Sequence, residues 1–154
     1  MTATLVKIPA RHFVLEIDEN YGTSGGENFI PIKGLTSFAG SPKTTDTETT
    51  DYDSDGVAEH QTMERSREFS ASGFYLEDQS TGERDAGQAA IEALGELFGP
   101  ASLGSFRYTS PGGNRWSFLA TVEVNSPGGG GNNDMAAWGF KASISGAVSK
   151  TQAS

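Results

Sequence analysis

Cysteine is absent from this 154-residue chain, which excludes thiol catalysis, disulfide stapling and Cys-ligated zinc. Histidine occurs only at His12 and His60, without the i, i+4 spacing that sets two ligands on one helix face, so both are read as structural or exposed. No stretch approaches the roughly 18 apolar residues of a membrane span, and residues 1–10 lack the apolar run of a secretory signal. The expectation is a soluble protein made in the cytoplasm, with no membrane partner. Cations are scarce: eleven Lys and Arg stand against twenty Asp and Glu, a net charge of −9. That balance argues against tight capture of nucleic acid or an anionic membrane through counterion release.

What is present points to strands. Gly and Pro total 26 and Ser and Thr 31, with apolar residues at 35%, a composition that favours punctuated strands over long helices. The length fits a single domain, 1–154. At 12–17, Phe13, Leu15 and Ile17 alternate with His12, Val14 and Glu16 at the period of a half-buried strand. The segment 29–39 reads as a second strand, interrupted by Pro31 and Gly34 and therefore placed at an edge or a bulge. Three longer strands, 64–75, 115–125 and 137–149, share one design. One face is apolar, with Trp116, Phe118, Trp138 and Phe140 read as core; the other is Ser, Thr and scattered charge. Such strands exceed the usual 5 to 6 residues, and their edges need pairing, which a second chain could supply. Ser110–Gly113 marks a hairpin turn between 106–109 and 116–124. A single helix is expected over about 85–98, with Asp85 as N-cap, a stripe of Ala90, Ile91, Leu94, Leu97 and Phe98, and a stop at Gly99–Pro100. The architecture predicted is mainly β, a β-sandwich or barrel-like body with one flanking helix. Residues 1–11 form an N-terminal arm and 149–154 a C-terminal tail.

The segment 41–62 has no periodicity and is longer than an ordinary connecting loop. It holds most of a charge cluster: Asp46, Glu48, Asp51, Asp53, Asp55, Glu59 and Glu64 against Lys43 alone. Asp51, Asp53, Asp55 and Gly56 match the start of a calcium loop, with Glu59 further on. The twelfth position, however, is Thr62 where a bidentate Glu belongs, and the flanks favour strands over the helices of an EF-hand. An acidic solvated or interface loop is preferred, and no metal or other cofactor is assigned. Gly22, Ser24 and Gly26 fit a nucleophile elbow in spelling only, because an extended segment follows where the helix should begin. For Glu64 with Glu68, or Glu77 with Asp78, sequence supplies no measure of the carboxylate separation on which a glycosidase pair rests, and the glycines at 128–131 have no following Lys to complete a phosphate cradle. No enzymatic role is assigned.

Taken in order, Gly34-Leu35-Thr36-Ser37-Phe38, the Ser41-Pro42 pair with its Thr and Asp tract ending at Asp53-Ser54-Asp55-Gly56, Tyr75-Leu76-Glu77-Asp78, Gly87-Gln88-Ala89-Ala90, residues 99–104 and Ser110-Pro111-Gly112-Gly113 resemble the major tail tube proteins of long-tailed bacteriophages. The likeness spans about residues 30–148. It implies a structural virion protein that forms stacked hexameric rings whose inner sheets join into one continuous barrel, a conduit for double-stranded DNA without tight binding. Further implied are a place in the virion tail, assembly in the host cytoplasm, and partnership with tape measure, tail terminator and distal tail or baseplate proteins. On that reading Asp46, Glu48, Asp51, Asp53, Asp55 and Glu59 belong to a loop stacking one ring on the next, opposite Lys and Arg. Glu64, Ser66, Glu68, Ser70, Thr121, Glu123, Ser143 and Ser145 become candidates for the lumen wall. Two alternatives stand beside it: a calcium-stabilised β-sandwich binding or adhesion module, and the tube subunit of a related injection machine.

Overall fold

The structure, a computed structural model, describes residues 4–23, 25–49, 56–58, 60–125 and 131–152. Its strands are β1 (Val14–Asp18), β2 (Phe29–Pro31), β3 (Leu35–Glu48), β4 (His60–Phe74), β5 (Gly104–Thr109), β6 (Asn114–Val124) and β7 (Ala137–Gln152), with one helix, α1 (Ala86–Gly95), between β4 and β5. All seven strands belong to one sheet in the order β2-β1-β5-β6-β7-β4-β3, and every neighbouring pair is antiparallel.

The two edges of that sheet, β2 and β3, are consecutive in the chain. The segment 29–39, expected as one strand, is therefore two, divided at Ile32–Gly34 where Gly34 adopts φ 84°, a left-handed conformation open chiefly to glycine. The sheet rolls until its ends approach. Phe38 of β3 packs on Phe13, just ahead of β1, and on Tyr108 of β5, with ring centroids 6.4 and 6.1 Å apart. Inside the roll lie Leu15, Ile17, Phe69, Phe106, Phe118, Trp138 and Phe140, each contributing roughly 2 kcal/mol through burial. The alternation read from sequence thus sets the inner face. Trp138 is 2% exposed, whereas Trp116 is half-buried and stacks on Tyr108 at 4.9 Å near the rim.

The helix starts as expected, with the Asp85 carboxylate accepting from Gln88 N at 3.2 Å, and it buries Ile91 completely. It ends earlier than expected, after Gly95, a poor helix former. Leu97 and Phe98 therefore leave the apolar stripe, and Phe98 is 91% exposed. His12, read as strand, closes a short 3-10 turn at Ala10–His12.

Half of the segment 41–62, expected as a loop, is strand. Thirteen cross-strand pairs run from Leu35↔Gly73 to Glu48↔His60, so Ser41–Glu48 and His60–Thr62 are ladder. Thr- and Ser-rich chain forms strand readily. The period of two arises from burying one face, and here residues 39–48 and 60–68 are exposed on both faces, so no alternation was there to read. Residues 149–152, expected as tail, extend β7 along the start of β6 as far as Asn114↔Gln152. A bulge opposite Phe118, with Gly146 at φ 81°, carries β7 around the bend.

Candidate assembly surfaces

The eight residues singled out for a lumen wall fall on one surface, the outer polar face of β4, β7 and β6. Register aligns them in rows. Glu68, Ser143 and Thr121 are successive cross-strand neighbours, Ser70, Lys141 and Glu123 form the next row, and Ser145 faces Leu119. Toward the hairpin, Ser66 faces Lys43 and Glu64 faces Thr45. Lys141 Nζ lies 3.3 Å from Glu68 Oε2, both about half exposed, a pair worth well under 1 kcal/mol in water. Three carboxylates and two ammonium groups share this face, among hydroxyls. It is close to neutral rather than strongly acidic.

Beyond Arg67↔Ile144, β4 has no partner but β3 among the described residues. The pair Lys43–Glu48 and His60–Ser66 is thus a free-standing ribbon about 20 Å long at roughly 3.3 Å per residue. Two strands without a buried face are marginally stable alone, so the ribbon calls for a partner surface. Asp46 and Glu48 sit near its end; Asp46 accepts from Thr62 Oγ1 at 3.0 Å, and Glu48 pairs with His60. Asp51, Asp53, Asp55 and Glu59 lie outside the described residues, and with them the calcium reading; so does Ser24 of the elbow spelling. Among the described residues no group of three or more His, Asp or Glu is placed to hold a metal. The outer edge of β3, fourteen residues long, has no neighbouring strand among the described residues, a template for pairing with another chain.

One polar cluster escaped sequence reading. Gln88 on α1 is fully buried. Its Nε2 donates to Phe74 O at 2.8 Å and Lys33 O at 3.0 Å, and its Oε1 accepts from Leu76 N and Arg84 Nη2, both at 3.3 Å. It joins the end of β4, the lead into β3 and the helix. Beside it Arg84 makes two bonds to Glu92, at 2.8 and 3.0 Å, and lies 4.1 Å from the Tyr75 ring centre. The bond to Glu92 raises the Arg84 pKa. Trp138 Nε1 donates to the same Glu92 at 3.1 Å, which completes a bridge from α1 to β7. The only advance signal for Gln88 was its place one turn into the helix, four residues after Arg84. Glu77 and Asp78 stay at an exposed turn near this bridge, and Glu64 and Glu68 lie on the polar face, neither pair enclosed.

The sequence matches no family model, and no curated protein matches it. The fold has counterparts among solved structures. A chain of the virion of a native gene transfer agent particle superposes with a TM-score of 0.64 at 17% identity, covering 94% of this chain and 99% of that one. A chain from the tail of the empty gene transfer agent particle, of C6 symmetry, gives 0.62 at 21% identity with the same coverage. A chain of the anti-feeding prophage cap, which terminates that particle's tube, gives 0.63 at 16% identity over 99% and 96%. At these identities the likeness establishes the fold: from end to end, the chain is built like chains of tails and tubes.

Proposed function

We propose that this protein is the repeating subunit of a tail tube, assembling into hexameric rings that stack around a channel. The observation that carries this reading is the end-to-end likeness of fold to chains of a C6-symmetric tail and of a tube-terminating cap. Two features of the chain support it. The unpaired edge of β3 offers a strand ladder to the next subunit in a ring, and the free-standing ribbon offers an arm to the next ring. The row-aligned face of Glu64, Ser66, Glu68, Ser70, Thr121, Glu123, Ser143 and Ser145 then lines the lumen. Duplex DNA carries about one negative charge per 1.7 Å, so a basic wall would hold it; a wall of hydroxyls with balanced charge lets it slide. On this reading the protein resides in a virion tail, assembled in the host cytoplasm, with tape measure, tail terminator and distal tail or baseplate proteins as its other partners. Likeness to an anti-feeding prophage chain also favours a tube of a related injection machine, which differs in cargo and neighbours rather than in the subunit.

Concentrated pure protein should form rings or tubes of uniform diameter in negative-stain electron microscopy. A species that stays strictly monomeric by sedimentation, at high concentration and across salt, overturns the proposal. Replacing residues 46–59 with a two-residue turn should leave subunits folded and rings intact while tubes fail to grow; unaltered tubes would remove the arm from ring stacking.

A further inference from the structure

The strand register divides the charge of the chain between two ends. At one end lie α1, the turns 19–28 and 75–85, and the connection 131–136, where β1, β4 and β6 finish and β2, β3, β5 and β7 begin. The segments 18–33, 75–104 and 125–139 hold ten carboxylates and two cations, and one of those cations, Arg84, is paired with Glu92. The rest of the chain holds nine cations and ten carboxylates, six of the ten within 46–59 and four outside it. Within that remainder Arg107 and Lys141 are paired with Glu16 and Glu68. Arg65, Arg67, Arg115 and Lys150 make no ion pair among the described residues. All four lie toward the end opposite α1: Arg65 on the ribbon, Arg67 at its root, and Arg115 and Lys150 where β6 starts and β7 finishes. Arg115 Nε is buried there without a hydrogen-bond partner among the described residues.

Shape follows charge. Phe98 projects 91% exposed from the helix end, two residues from Glu96. At the opposite end a groove of about 310 Å³ is lined by Phe69, Tyr108, Trp116 and Phe118, with Arg67 and Glu68 at its wall. Burial raises the Tyr108 hydroxyl pKa, while the Arg67 charge opposes the rise. Gly95 lies against Val122 and Val124 at the finish of β6, and Trp116 stands near its start, so the helix end and Trp116 are separated by about 26 Å of strand at roughly 3.3 Å per residue. A protrusion and a recess at opposite ends of one chain make a heterologous contact that propagates without closing.

Resting on the tail tube reading, we infer which surfaces meet where successive rings stack: the acidic helix end of one copy, with Phe98 as its apolar anchor, seats on the aromatic-lined rim of the next, where Arg65, Arg67, Arg115 and Lys150 gather. Complementary charge steers and orients the contact, and the acidic ribbon tip, repelled by the helix end, must run past it.

Tube length by electron microscopy and sedimentation tests this across about 0.05–1 M salt, for wild type and three variants. Glu77→Lys with Glu96→Lys reverses the helix end, and Arg65→Glu with Lys150→Glu reverses the other; the third carries all four substitutions. Wild-type tubes should shorten as salt rises. Each single-end reversal should raise the concentration needed for stacking roughly tenfold or more while rings persist, and the four-fold variant should recover stacking. Phe98→Ser, which leaves the core untouched, should give rings that do not stack. Tubes indifferent to salt, to both reversals and to Phe98→Ser overturn the joint and leave the tube reading intact. A wild type that remains monomeric at low salt overturns both.

Discussion

Replacing Gln88 with glutamate changes one atom's chemistry at the point where helix and sheet are tied. In the native chain the amide nitrogen donates to Phe74 O and Lys33 O, and the amide oxygen accepts from Leu76 N and Arg84 Nη2. A carboxylate keeps both acceptor bonds and loses both donor bonds, and it sets an anionic oxygen against two carbonyls in a site with no solvent exposure. Each lost bond that strands a buried acceptor costs about 1–3 kcal/mol, and Arg84 offsets part of the new charge. The expected deficit at pH 7 is therefore roughly 3–5 kcal/mol. Protonation returns one donor. Burial and the facing carbonyls raise the folded-state pKa of the introduced carboxyl above the unfolded value of about 4.3. A raised folded pKa means that the folded form binds the extra proton, so the deficit is smallest below pH ~4 and grows as pH rises toward the folded pKa. Urea unfolding of dilute wild-type and Gln88→Glu subunits at pH 4 and pH 7 reads the difference directly, since the acid response of all other groups is common to both. A deficit at pH 7 under about 1 kcal/mol, or one that does not shrink at pH 4, would refute the account of Gln88 as a donor bridge.

Gly87→Ala improves helix propensity by up to about 1 kcal/mol, yet its Cβ would overlap the Pro31 carbonyl oxygen and the Ile32 Cα; the packing loss should win, and a higher urea midpoint would show that it does not. Asp85→Ala removes the acceptor for Gln88 N and Lys33 N and should cost about 1 kcal/mol in the same assay. The Tyr108 hydroxyl is raised from its ordinary value of 10.0 by burial. The unfolded chain therefore ionises first, and stability should fall as pH climbs through 10.0; Tyr108→Phe should flatten that slope. Glu64→Lys, Glu68→Lys and Glu123→Lys together turn the polar face basic, and tubes of this variant should retain duplex DNA with a steep inverse dependence on salt, where wild-type tubes retain none.

The apolar rhythm of the long strands was plain because each lies half in a core: Phe69 and Ala71, Phe118 and Ala120, Phe140 and Ala142 fall inside as alternation requires. The same rule read backwards explains the failure at 41–48 and 60–62. A ladder exposed on both faces leaves no period in the sequence, and its Thr and Asp content imitates a loop. Phe98 failed for a different reason, since helical spacing continues in the letters after the backbone has left the helix at Gly95. Gln88 was invisible because its role consists of three backbone groups brought from residues 33, 74 and 76.

By itself the sequence determined the chemistry class and the building pieces: no thiol chemistry, an acidic chain, long two-faced strands, one capped helix and a glycine-marked hairpin. These are local consequences of composition and period. The tertiary structure alone decided that seven strands make one rolled sheet whose edges are neighbours in the chain, that eight scattered polar residues share one face, and that outside 46–59 the carboxylates gather toward the helix end and the cations without an ion pair toward the other. Register decided all three, because it depends on which strand lies beside which, and that is set by burial summed over the whole chain rather than by any stretch of it.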